Sequence, residues 1–227
     1  MAFGTPASPP GQEGGAPDGI VAFRGGRSAT SAGVVNAGTL SAIALSHEEG
    51  IRLENTGIAV ERFVALAAEY CDFIERLDEL TGRAFVQTSV RLLPALYIAA
   101  LELPHIEPGS SNLIEDAKSG ADDYRTIYGR ISDKLGALTL YWEVFDPYEE
   151  DAPVCGSIAD DLADIYGDLK GALKVYQQGS ESDRKDAVWH WRFNFHFHWG
   201  EHLVDALRAL HRAQASRPLG EEIESVD

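Results

Sequence analysis

A chain of 227 residues with 44% hydrophobic content has room for one ordinary domain and a tail. Its net charge of −17 argues against non-specific binding to DNA or RNA, which needs Lys and Arg to neutralise phosphates; it suits a cation, a small ligand or a basic protein partner, or plain solubility. Cys71 and Cys155 are too few for a disulfide scaffold or zinc ribbon and read as reduced cytoplasmic thiols, the start MAFGTPASPPGQEGG lacks the regions of a secretory signal, and no run of about 18 apolar residues offers a membrane span.

In chain order, residues 1–54 are rich in Gly, Ala, Ser and Pro and predict a disordered tail. Within it VVNAGTLSAIAL is apolar but unpatterned. It reads either as a transient helix or as translated sequence upstream of the true start. The helical domain is expected over 55–212. Ile58, Phe63, Val64, Ala67, Tyr70, Cys71, Ile74 and Leu77 recur at helical spacing and give a first helix ending at Thr81-Gly82. A second runs from about Ala84 to Leu101, with a kink expected at Pro94. Pro104, Pro108 and Gly109 mark a loop. A third covers about Ala121–Leu138. LTLYWEVFDPYEEDAPVCG then has no helical period, and Pro147 and Pro153 forbid a regular helix, so it predicts an ordered loop packed by Tyr141, Trp142, Phe145 and Tyr148. Ser157 caps a fourth helix that Gly179 ends. An acidic C-terminal tail occupies 213–227.

The segment Val188–His211 is ambiguous. From Trp189 to Trp199 large aromatics take every odd position and polar residues every even one, the pattern of a half-buried strand. Such a strand would have to turn into the plainly helical Leu203–Leu210 with only Gly200 at the junction. Read as a helix, the odd positions split into two stripes. Trp189, Phe193 and Phe197 lead into Gly200, Val204 and Leu207; Trp191, Phe195 and Trp199 lead into His202. A helix apolar on two sides is packed on two sides. The expectation is one central helix from about Asp183 to Arg212, and an all-α bundle of about five helices.

Taken together, LLPALYIAALELP, YWEVFDPYEED, SIADDLADIYGDLK and VWHWRF…HWGEHLVDALRALH resemble the bacterial family called domain of unknown function 5063, over about Ala59–His211. The resemblance implies an all-helical bacterial domain. It brings no catalytic residues.

Of chemical motifs, GxSxG, GxGxxG, a Walker-type loop and CxxC are absent. His198-Trp199-Gly200-Glu201-His202 matches HxxEH, the inverted zinc-protease pattern, in which two histidines one turn apart share a metal. A third ligand is expected well downstream, where only a short tail remains. The competing account is that both histidines hydrogen-bond to acidic neighbours. Asp160, Asp161 and Asp164 form DDxxD, a pattern resembling the Mg²⁺ motif of all-α isoprenoid synthases, whose carboxylates converge on a hard cation. Glu69 with Asp72, and Glu75 with Asp78, could stand opposite as in all-α nucleotide pyrophosphohydrolases. Against this, acids in a first helical turn simply favour the helix dipole. From Trp142 to Leu169 there are nine acids and no Lys or Arg. The interleaved aromatics make a docking surface of Trp142, Glu143, Asp146, Tyr148, Glu149 and Glu150.

Two readings result. The first is a binding or regulatory module that uses the acidic aromatic loop on a protein partner or small ligand and needs no cofactor. The alternative is a Mg²⁺-dependent phosphohydrolase using Asp160, Asp161 and Asp164, with Glu69 and Asp72 opposite.

Overall fold

The computed structural model describes residues 37–109 and 121–216, with side chains from Thr56 to Gly109 and from Asp122 to Ala215. The expectations for residues 1–36 and 217–227 lie outside the described residues. The chain divides into two units at Ala44–Leu45, and the helical bundle belongs to the second.

Local capping chemistry sets most helix ends. Helix α1 (Ala37–Glu75) starts earlier than the tail reading expects, and a 3₁₀ turn at Leu77–Glu79 follows it. Thr81 caps α2 (Gly82–Leu101), its hydroxyl accepting from the Ala84 N–H. Pro94 sits inside α2 without ending it. By length and composition α2 is apolar enough to cross a membrane, but it is a core helix here, with Phe85, Leu93 and Leu96 fully buried. Helix α3 (Ala121–Leu135) closes in a 3₁₀ turn whose Gly136 takes φ +53°, the left-handed region that favours glycine. Ser157 caps α4 (Ile158–Gln178) through the Asp160 N–H, and Gly179 ends it. Ser180 and Asp183 form a reciprocal capping box at the start of α5 (Glu181–Phe197).

The fold is all-α as expected apart from the ordered loop between α3 and α4, which forms a two-stranded β-hairpin. Strands β1 (Leu140–Glu143) and β2 (Val154–Ser157) pair antiparallel, with Tyr141 opposite Gly156 and Trp142 opposite Cys155. LYWE alternates as a strand should: Leu140 and Trp142 face out, while Tyr141 and Glu143 are half-buried. A Cβ on Gly156 would lie 2.5 Å from the Tyr141 ring, so only glycine lets that ring cross the partner strand. Pro147 and Pro153 fall between the strands, where no ladder N–H is required.

The aromatic segment is two helices. Helix α5 ends at Phe197, His198 takes φ −152° and ψ −89°, and α6 (Trp199–Ser216) begins anew. A Cβ on Gly200 would lie 2.1 Å from the Phe195 carbonyl oxygen, so the close approach at the break depends on glycine. The Trp199 indole N–H donates back to the Trp191 carbonyl at 3.1 Å. Across the break Leu203, Ala206 and Leu210 extend the buried line of Trp191, Phe195 and Trp199, and His202 at its edge is half-buried. The other stripe is not packed on both sides as expected. Trp189, Phe193 and Phe197 stack on one another, and Phe193 and Phe197 are exposed.

The most central element is α4, which packs against α3, α5 and α6, while α2 packs against α6. The core centres on Trp191 and Trp199, with Phe63 of α1 at ring-centroid distances of 5.1 and 6.2 Å from them. Tyr176 lies 5.6 Å from Trp191, and the Trp191 indole N–H donates to the Leu169 carbonyl.

Candidate functional site

Asp161, Asp164 and Asp168 recur at i, i+3 and i+7, which places them on one face of α4. His198 and His202, one turn apart at the α5–α6 break, face them. The His202 Nδ1 lies 2.9 Å from Asp161 Oδ1, and its Nε2 lies 3.4 Å from Asp164 Oδ2. The His198 Nδ1 lies 2.6 Å from Asp168 Oδ2. Both outer carboxylates are held from a second side. Tyr141 donates to Asp161 at 2.8 Å, and the Asn194 amide donates to Asp168 at 2.8 Å. Asp164, His198 and His202 each offer a ligand atom within 4.8 Å of the others.

Burial is the largest influence on Asp161 and raises its carboxyl above the usual range, although its bonds with His202 and Tyr141 pull it back. Burial likewise raises Asp164. The hydrogen bond to Asp161 raises the His202 imidazole, against the opposing effect of burial. The Tyr141 phenol is held well above its ordinary range by burial and by Asp161.

The hairpin is tied to this face at its base. Tyr141 reaches Asp161, and Arg208 of α6 donates to Glu143 at 3.0 Å with its guanidinium over the Tyr141 ring. Asp205 shares a hydrogen bond with Glu143; burial and that neighbouring carboxylate push it up to about 6. A groove of about 410 Å³ opens beside the hairpin, lined by Leu140, Trp142, Ile158, Ala209 and Arg212 among others.

Of the residues predicted to dock a partner, Trp142, Asp146, Tyr148, Glu149 and Glu150 are exposed, whereas Glu143 turns inward to Arg208. The aromatics do not fill a core beneath the loop: Trp142 is 70% exposed, Phe145 82% and Tyr148 94%. Asp146 accepts from the Tyr148 N–H and shapes the tip. Of the predicted Mg²⁺ ligands, Asp160 turns away and accepts from Tyr124 on α3, while Asp161 and Asp164 meet at His202. The acids assigned to the opposite wall are engaged elsewhere or face solvent. Asp72 pairs with Arg76, Glu75 with Lys170 and Asp78 with Arg130, and Glu69 is exposed. This arrangement lends the phosphohydrolase reading no support. Sequence reasoning saw both histidines but sought their third companion downstream. Asp164 lies upstream, and the i, i+3, i+7 spacing of Asp161, Asp164 and Asp168 was the available signal.

No curated protein matches the chain. Among solved structures it resembles the crystal structure of protein BF1032 from Bacteroides fragilis, a structural-genomics target. The TM-score is 0.63 at 30% identity, covering 72% of this chain and 96% of that one. The family described as domain of unknown function (DUF5063) matches residues 56–216, nearly the whole described bundle and the hairpin within it, and the chain belongs to that family.

Proposed function

We propose that the domain acts by binding, and that the tip of the hairpin docks a basic protein segment. The observation that carries this is the exposure of Trp142, Phe145 and Tyr148 on an element whose base is fixed. Large aromatics left in water gain nothing for the fold, and at interfaces they supply most of the anchoring energy. Tyr141–Asp161 and Glu143–Arg208 hold the first strand, so Trp142 stands on a fixed element and little ordering entropy opposes its docking. Charge defines the partner. Asp146, Glu149, Glu150 and Asp151 surround the aromatics, and no Lys or Arg occurs from Trp142 to Leu169. Lys or Arg side chains of a partner would meet these acids and the aromatic faces, and an apolar neighbour would enter the groove beside Trp142. The free thiols of Cys71 and Cys155 fit a reducing cytoplasm as the place of this binding.

Selection from a random peptide library tests the proposal. The wild-type chain should enrich peptides that combine Lys or Arg with one large apolar residue. The Trp142→Ser, Phe145→Ser, Tyr148→Ser variant should enrich none of them. Enrichment of acidic peptides, or the same peptides from both proteins, would overturn it.

A further inference from the structure

We propose that Asp164, His198 and His202 bind a divalent transition-metal ion of the zinc class, and that Asp161 and Asp168 orient the two imidazoles. An ionised carboxylate accepts hydrogen bonds and donates none, so beside ionised Asp161 and Asp168 the contacting Nδ1 atoms would carry the protons. Each imidazole then presents Nε2 as its remaining donor atom. An aspartate on Nδ1–H is the usual outer partner of a metal-binding histidine; it fixes the tautomer and makes the ligand more basic. Here both histidines have one, and each outer aspartate is itself held, by Tyr141 or by Asn194.

The His202 Nε2 faces Asp164 Oδ2 at 3.4 Å. A lone pair does not face a carboxylate without positive charge between them, which a proton or a metal ion supplies. A tetrahedral zinc ion with bonds of about 2.1 Å sets its ligand atoms about 3.4 Å apart, so this pair already stands at coordination spacing. His198 is the more exposed member, 48% exposed at the helix break, and its ligand atom lies within 4.8 Å of the other two, so binding an ion would require its side chain to close on Asp164. Two imidazoles with one carboxylate select zinc, cobalt, nickel or copper over Mg²⁺ and Ca²⁺, which prefer all-oxygen sites. Three protein ligands leave a coordination position open toward solvent.

The test uses the full chain, stripped with a chelator and then titrated with Co²⁺. One equivalent should bind with the visible bands of tetrahedral cobalt, Zn²⁺ should displace it, and a large excess of Mg²⁺ should not. His202→Gln and Asp164→Asn should abolish the bands. Should either fail to fold, the exposed His198→Ala, read in the same way with circular dichroism as the folding control, takes its place. Asp168→Asn should retain one site and weaken it roughly 10–100-fold, as loss of an outer partner does. Absence of stoichiometric Co²⁺ binding, equal competition by Mg²⁺, or bands that survive all of these substitutions would overturn the proposal and leave His198 and His202 as ion-pair partners of the aspartates.

Discussion

Glu143 and Asp205 bring two carboxyl groups together beside Arg208, and the folded chain responds by holding Asp205 up to about 6. The sign of the resulting pH dependence follows from linkage. A carboxyl raised in the folded state takes up its proton there before it does in the unfolded chain, so stability is gained as pH falls through about 6 and is lost as pH rises through it. The melting temperature should therefore be higher at pH 5 than at pH 7.5. Asp205→Asn should raise it at pH 7.5 and reduce the difference between the two. Thermal melts at the two pH values check this, and an unchanged difference in Asp205→Asn would show that Asp205 titrates normally. At this scale the sequence was a poor guide. Glu143 looked like one more acid of a docking face, and only the fold shows it turned inward to Arg208, sixty-five positions away in the chain.

At the scale of elements, the break at His198 gives the sharpest contrasts. Gly200 faces the Phe195 carbonyl so closely that even a methyl group must displace backbone. Gly200→Leu should unfold or aggregate the domain, and Gly200→Ala should already lower its melting temperature. A soluble Gly200→Leu protein with an unchanged melting temperature would refute the tight junction. Neighbouring phenylalanines should behave oppositely. Phe195 is buried against Trp199 and Tyr97, so Phe195→Ala should cost roughly 3–5 kcal/mol in urea denaturation. Phe193 is exposed and only stacks on Trp189 and Phe197, so Phe193→Ala should cost about 1 kcal/mol. Equal costs would mean that both stripes are packed. Helix ends were legible in the sequence because caps are local: Ser157 and Gly179 bound α4 where side-chain chemistry alone would put them. The break was not legible, because it depends on Trp199 reaching Trp191 and on where the core lies. The hairpin was half legible. Its alternation is present in LYWE, but Pro147 and Pro153 drew attention to a loop when they mark only the connection between strands.

Across the whole molecule, the face of α4 joins the two candidate activities. Asp161 holds Tyr141 of the hairpin through one oxygen and His202 through the other. The acids from Trp142 to Leu169 that looked like one solvated stretch divide by position. Those in the hairpin tip face water, and Asp161, Asp164 and Asp168 face the histidines. Linear charge patterning could not make that division, since it arises from the helix period on one side and the strand turn on the other. On the proposed reading, the hairpin aromatics serve a partner and contribute little to the fold. Calorimetric titration of a library-selected basic peptide into the wild-type chain and into the Trp142→Ser, Phe145→Ser, Tyr148→Ser variant tests it most directly. The account predicts saturable binding to the wild type that weakens with added salt, and at least a roughly tenfold loss in the variant, about 1.4 kcal/mol, while both proteins melt at similar temperatures. Equal affinity for the two proteins would contradict it.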